Sequence, residues 1–280
     1  MQALFEVAGG SITGTNHIHS GTNNQDAFFS VVGEQSIVAV VCDGCGSCRH
    51  SEVGAKLGAR LVVEAIDTQI KRQQADQKDQ IDRDFWQGLQ QTLLGQLHDL
   101  AVVLSGASSS PQKLAQIVKD YLLFTIVGVA ITPAETAIFS IGDGAIAIND
   151  KVISIESFSD NAPPYLAYGL FDRSQVKLCV HDRIATDEVI SIALATDGIH
   201  DLIAAEEKFL PGKQECVGAF SQFWQQDRYF QNPDAIRRKL TQINRESIKP
   251  DWQERRLERC LGLLPDDTTL ITIRRRRLPC

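Results

Sequence analysis

The chain carries 280 residues, 43% of them hydrophobic, with 28 Lys and Arg against 35 Asp and Glu for a formal charge of -7. That is enough to bury a substantial core in one large domain or two small ones, and the acidic balance argues against broad binding to nucleic acid or anionic lipid, where a basic surface is expected. No stretch approaches the ~18 consecutive apolar residues of a membrane span, residues 1–10 lack the basic leader and apolar run of a secretory signal, and seven cysteines, three of them from Cys42 to Cys48, depart from a secreted disulfide framework, so a reducing cytoplasm is expected.

The first apolar, β-branched run, 36–42, predicts a strand. A helical pattern follows at 51–71, with Ser51 as its capping residue. Gly54 and Gly58 lie four apart on this helix, a pair that costs helix propensity but lets another element approach closely. The polar stretch 68–83 has loop composition, 82–104 is helical and the Ser-rich 105–111 is again a connection, so residues 68–118 form a helical excursion bounded by exposed loops. Strands are expected at 124–131, 136–141 and 189–196, a helix at 233–247 capped by Asn232, and a last strand at 268–273. Strands and helices do not alternate strictly, which suits an α+β sandwich better than a doubly wound parallel sheet.

Acids stand where these strands end. Asp43-Gly44 follows the strand at 36–42, Gly142-Asp143-Gly144 follows 136–141, Asp197-Gly198 follows 189–196, and Asp266-Asp267 precedes 268–273. A carboxylate at the edge of an apolar strand is costly to bury alone, and a glycine beside it frees the backbone for a tight turn. Each Asp-Gly also reads singly as an ordinary turn, but four at strand ends point to a shared site whose charge divalent cations would compensate. Mg²⁺ and Mn²⁺ favour oxygen ligands and keep waters where carboxylates are few. Two such ions roughly 4 Å apart lower the pKa of a bridging water and neutralise phosphoryl oxygens during in-line attack.

Five segments resemble, in order, the motifs of the protein phosphatase 2C family, especially its bacterial branch. They are Gly21-Thr22-Asn23-Asn24-Gln25-Asp26, Val41-Cys42-Asp43-Gly44-Cys45-Gly46-Ser47, Ile141-Gly142-Asp143-Gly144, Ala195-Thr196-Asp197-Gly198-Ile199-His200-Asp201 and Asp266-Asp267-Thr268-Thr269, and together they cover nearly the whole chain. The resemblance implies one catalytic domain over residues 1–280, built as a four-layer αββα sandwich of two antiparallel sheets flanked by helices. It implies metal-dependent hydrolysis of phosphoserine and phosphothreonine in phosphoproteins, the substrates of a cognate Ser/Thr kinase. Two Mg²⁺ or Mn²⁺ ions are implied: Asp43 bridges both, the Gly44 carbonyl binds one, and Asp197 and Asp266 complete the other. Asp26 and Gln25 would organise metal-bound waters, Asp143 matches the position of a third ion, and Asp201 lies where an acid supports that region. Asn161-Ala162-Pro163-Pro164-Tyr165-Leu166 resembles a segment of the flap near the cleft, and reads equally as a Pro-rich loop.

The chain departs from the family at three places. Gly21 stands where many members carry an arginine that grips the substrate phosphate, leaving His17, His19, Arg49 or His50 to supply a cation. Gln25 replaces an acid, and Cys45 replaces a histidine suited to protonate the leaving alkoxide. Cys42, Cys45 and Cys48 also read as a soft-metal or redox group, with Cys42 expected in the core. The basic run 274–277 reads as a solvated tail or a contact for acidic partners. Two other functions stay open. One is a haloacid-dehalogenase-type phosphatase, suggested by Gly142-Asp143-Gly144 and Asn149-Asp150 but lacking an early Asp-x-Asp. The other is a regulatory pseudophosphatase that binds phosphoproteins without turnover.

Overall fold

The two most continuously apolar strands, at Ile37–Asp43 and Ile126–Ile131, are buried on both faces. That is the condition of a strand in the middle of a sheet with a second sheet on one side and helices on the other. The computed structural model describes residues 1–76, 81–106, 110–155 and 163–276. In chain order its elements are β1 (Phe5–Ile12), α1 (Thr15–Ser20), β2 (Asp26–Val32), β3 (Ile37–Asp43), α2 (Ser51–Ala75), α3 (Arg83–Ser105), α4 (Pro111–Tyr121), β4 (Ile126–Ile131), β5 (Glu135–Ile141), β6 (Gly144–Ile148) and β7 (Lys151–Ile155). There follow β8 (Cys179–Ala185), β9 (Ser191–Ala195), α5 (Ile199–Ala204), α6 (Gln222–Gln225), α7 (Arg228–Gln231), α8 (Ala235–Asn244), β10 (Ser247–Asp251), β11 (Arg256–Cys260) and β12 (Thr268–Arg275).

One sheet has the order β2-β3-β4-β5-β8, the other β1-β12-β9-β6-β7, and every neighbouring pair is antiparallel. Period-two alternation assigns the side chains to layers. Ile37, Ala39 and Val41 meet Ile146, Leu194 and Ile271 between the sheets, while Val38, Val40 and Cys42 turn outward to a core shared with α2, α3 and α4. On the far side, Ala193, Ala195 and Leu270 pack beneath Leu202, Phe223 and Leu240 of the C-terminal helices. The molecule is therefore the expected four-layer αββα sandwich of class α+β.

Several local expectations need correction. Helix α2 runs on through Ala75, so residues 68–75 are helical and not loop; Gln77 to Gln80 lie outside the described residues. Ser51 does not cap α2: the cap position is His50, and the Ser51 hydroxyl accepts a 2.9 Å bond from Gln25 Nε2 instead. Within 105–118, residues 107–109 lie outside the described residues, and Ser110 caps α4 by accepting from the Lys113 amide, with Pro111 at the first helical position. Asn232 ends α7; α8 begins at Ala235, and Asp234 at its cap position holds Arg237 and Arg238 rather than an amide. The run 274–277 is no solvated tail. Arg274 is buried within β12, pairing with Glu6 at 2.6 Å and Asp227 at 2.8 Å, and Arg277 lies outside the described residues.

Gly54 and Gly58 are packing positions, as their spacing suggests. A Cβ at Gly54 would stand 1.8 Å from the Tyr121 carbonyl oxygen, and one at Gly58 would stand 2.2 Å from the Phe124 ring. Gly95 on α3 has nothing within 4 Å of a built Cβ. Gly95→Ala should therefore stabilise the protein by about 0.5–1 kcal/mol through helix propensity. Gly54→Ala should destabilise it by roughly 2 kcal/mol or more, because backbone cannot yield as a side chain does. Urea denaturation of the two variants checks the opposed signs.

Candidate active site

Register brings the first acids together. In the β2–β3 pair Asp26 lies directly opposite Asp43, on the sheet whose inner face meets the second sheet. Across that gap, the Thr196 hydroxyl after β9 donates to Asp26 Oδ2 at 2.7 Å; at the adjoining ends of β9 and β12 the Thr196 amide donates to the Thr269 carbonyl at 3.0 Å and the Thr269 amide to Thr196 Oγ1 at 3.1 Å. The Asp43 amide donates to Thr125 Oγ1 at 3.1 Å and its carbonyl accepts from the Thr125 amide at 2.8 Å. The Gly44 amide donates to the Gln25 carbonyl, and a Cβ there would meet that oxygen at 2.8 Å, so the turn after β3 admits only glycine without a shift. Gly198 is as confined: its Cβ would lie 2.0 Å from the Asp267 carbonyl oxygen, which holds the Asp197 turn against Asp266-Asp267.

The electrostatics report the same convergence. Burial first, and then the charges of Asp26, Asp197, Asp266 and Asp143, hold the Asp43 carboxyl well above the usual carboxylate range. Asp26 is raised by burial, against the Thr196 bond, and further by Asp267 and Asp197. Asp197 is pushed up to about 6 by burial and by Asp266 and Asp143. Burial raises Asp143, and burial with the Asp266 charge raises Asp201. Among the described residues no lysine or arginine pairs with Asp26, Asp43, Asp143, Asp197 or Asp266. Carboxylates crowded in this way without a cationic side chain must either take up protons or bind cations. An all-oxygen donor set of this kind fits hard divalent ions.

Asp267, named by sequence only beside Asp266 and given no role, is the hub of the site. It is buried, its Oδ1 accepts from the Gly14 amide at 2.7 Å and its Oδ2 from the Gln25 amide at 2.6 Å, and His17 Nδ1 lies 3.0 Å from Oδ1. Donor atoms of His17, Asp266 and Asp267 lie within 4.8 Å of one another, a grouping able to hold an ion. The doubled acid before Thr268-Thr269 was the available signal. Of the candidate cations, His17 alone reaches the cluster. His19 is engaged by Glu246 at 2.7 Å, and Arg49 is exposed with no ion pair among the described residues. The Gln25 side chain ties this loop to α2 through Ser51.

Cys42 is buried in the strand, as expected. Cys45 and Cys48 are hydrogen-bonded free thiols; that bond, with Ser47 and Tyr165, draws Cys45 down to about 5 against its burial. Tyr165 of the segment expected near the cleft thus adjoins the turn after Asp43, while Asn161 and Ala162 lie outside the described residues.

The sequence profile described as Protein phosphatase 2C matches residues 13–241. The chain belongs to the protein phosphatase 2C family. Solved structures agree with this fold. A bacterial serine phosphatase aligns at TM-score 0.52 and 13% identity over 99% of this chain and 100% of its own, and an arginine variant of a bacterial serine phosphatase at 0.55 and 13% over 97% and 98%. The serine/threonine phosphatase Stp1 from Staphylococcus aureus aligns at 0.54 and 13% over 96% and 94%. No curated protein matches the sequence. The five acid-bearing segments of the phosphatase 2C pattern are the ones that the fold gathers at one end of the sandwich.

A carboxyl whose pKa is raised by folding stabilises the folded state below its unfolded value, and that stabilisation is lost as the pH rises through its folded value. For Asp197 the window runs from 3.8 to about 6, and Asp26 and Asp43 act in the same direction. The metal-free protein should therefore melt at falling temperature as the pH rises from about 4 through about 6, with Mn²⁺ restoring most at the upper end of that window. Scanning fluorimetry with and without chelator checks this, and the slope should shrink in Asp197→Asn. Asp267→Ala leaves two buried amides without an acceptor and should cost roughly 2–4 kcal/mol by denaturant titration.

Proposed function

We propose that this phosphatase 2C family member hydrolyses phosphoserine and phosphothreonine in proteins with the help of two divalent cations, its whole chain acting as one catalytic unit. The observation that carries the reading is the meeting of Asp26, Asp43, Asp143, Asp197 and Asp266 with no lysine or arginine paired to them among the described residues. In this reading Asp43 and the Gly44 carbonyl, with Asp197 and Asp266, would hold two Mg²⁺ or Mn²⁺ ions, and Asp143, supported by Asp201, a third. Ions bound there would supply a water of lowered pKa and neutralise the phosphoryl oxygens.

The remaining work falls to the chain itself. Asp26, fixed by the Thr196 hydroxyl, accepts hydrogen bonds from water at the cluster and sets its direction of approach. His17, whose Nδ1 lies 3.0 Å from Asp267 Oδ1, is the imidazole assigned to the substrate phosphate in place of an arginine at Gly21, since His19 is taken by Glu246. Asp267 positions both by pinning the segments before α1 and β2. The substrates are phosphoproteins made by a Ser/Thr kinase. A cytoplasmic location suits the six free thiols of the described residues. No helix among the described residues is long and apolar enough to cross a membrane.

Asp43→Asn and Asp197→Asn should each lower Mn²⁺-dependent release of phosphate from a phosphothreonine peptide by at least about 10²-fold, while leaving far-UV circular dichroism unchanged. Wild-type rates in either variant would overturn the assignment. A wild-type chain that binds the phosphopeptide without releasing phosphate would instead be the regulatory pseudophosphatase.

A further inference from the structure

A second feature lies on the other side of α1 from the acids. Two residues apart on a helix face nearly opposite directions, and α1 uses this: His17 turns to Asp267, while His19 turns to Glu246, and both His19 and Glu246 line a cavity of about 830 Å³. The cavity is bounded by α1, the end of β1, α8 and the start of the β10–β11 hairpin, and Asn24 links it to the acid cluster. Asn24 lines the cavity, and its Oδ1 accepts from the Asp26 amide at 2.9 Å.

The charge here runs against the rest of the molecule. The cavity is lined by Arg237, Arg245 and Arg259 against Glu246 alone, on a chain whose formal charge is -7. Arg259 grips Glu246 through two nitrogens, with contacts of 2.7–3.0 Å, and Arg237 is held by Asp234. Arg245 is exposed and makes no ion pair among the described residues. A guanidinium left open beside two that are already oriented offers a planar, forked donor to a carboxylate or phosphate.

The hairpin adds an apolar face to the same wall. Residues opposite one another in an antiparallel pair share a face, as do residues two apart. Ile248 pairs with Arg259 and Pro250 with Leu257, so Ile248, Pro250 and Leu257 lie on the face of Arg259 that borders the cavity. Ile248 is 59% and Leu257 71% exposed, and the hairpin joins neither large sheet. A two-stranded ribbon with bare apolar side chains is marginal alone and gains from a partner laid against it.

We propose that this cavity and hairpin face dock the segment flanking the phosphoresidue, and that they select substrates with acidic residues beside an apolar one. The substrate class rests on the phosphatase reading above; the docking site itself does not. An α-helix is about 10 Å across, so roughly three extended residues of a bound peptide, at about 3.3 Å each, span the width of α1. Nucleic acid is a poorer fit, since the acids next door would repel a continuous phosphate backbone.

The test separates binding from turnover. A fluorescein-labelled, unphosphorylated peptide with three acidic residues and a leucine, and its neutral Ala/Gln counterpart, are titrated with the full chain by fluorescence anisotropy. The acidic peptide should bind about tenfold tighter, the advantage should fade between about 0.05 and 0.5 M NaCl, and Arg245→Glu should remove it. Arg245 is exposed and unpaired, so the change does not threaten the fold; Leu257→Ser should weaken both peptides alike. With phosphorylated versions, Arg245→Glu should raise KM for the acidic substrate and leave kcat unaltered. Equal affinity for the two peptides in the wild type, or an unchanged preference in Arg245→Glu, overturns the proposal. The anisotropy arm uses no phosphate, so it decides the docking site even if hydrolysis is never seen.

Discussion

Everything in this molecule is arranged around an arrangement of charge that the fold cannot neutralise with its own side chains. Five carboxyls converge at one end of a two-sheet sandwich, each raised or surrounded by the others, and among the described residues no guanidinium or ammonium pairs with them. Buried acids elsewhere in the chain are handled differently: Asp67 is paired by Lys71 and by the Ser36 hydroxyl. The contrast matters because an unpaired carboxylate cluster costs stability in the absence of a ligand. A fold that nevertheless builds one, with glycine-confined turns at Gly44 and Gly198, suits the divalent cations proposed for it.

Sandwich architecture makes that cluster possible. Strands of both sheets end at the same edge, so acids distant in the chain arrive there through register: Asp26 opposite Asp43 in one sheet, and Thr196 beside Thr269 in the other. Two bonds then lock the sheets to each other at the site itself. Thr196 reaches across to Asp26, and Asp267 at the head of β12 takes the Gln25 amide at the foot of β2. The Asp267 carboxylate thus acts as a structural anion, its charge met by backbone amides, while its neighbour Asp266 is exposed and free to ligate.

Most of the site was legible because its signal is local: acid-glycine pairs following apolar strands survive in a single sequence. The strands that carry those acids were legible for the same reason, being continuously apolar. What escaped was set by tertiary context. β1 contains two glycines and β8 alternates at a sheet edge with mostly exposed residues, so neither has the apolar density of a central strand. Ser51 looks like a helix cap, but its hydroxyl is claimed by Gln25 from a different segment. The arginines from Arg274 onward look like a tail because their partners, Glu6 and Asp227, are far away in sequence. Asp267 was overlooked for a related reason: next to a presumed ligand it resembles a duplicate, and only the amides that converge on it reveal the different task.

The departures from the family pattern become coherent once charge is followed through the fold. Gly21 sits at φ 72° as the left-handed end of α1, where its conformational freedom ends that helix after about one and a half turns. A helix so short presents His17 and His19 to two different basins, one anionic and one cationic. Arginines stand one helix away from the acids, on α8 and the β10–β11 hairpin, where under the docking proposal they act on the polypeptide around a phosphate rather than on the phosphate itself. Under that proposal, discrimination between substrates rests less on the reacting atoms and more on the protein that carries them.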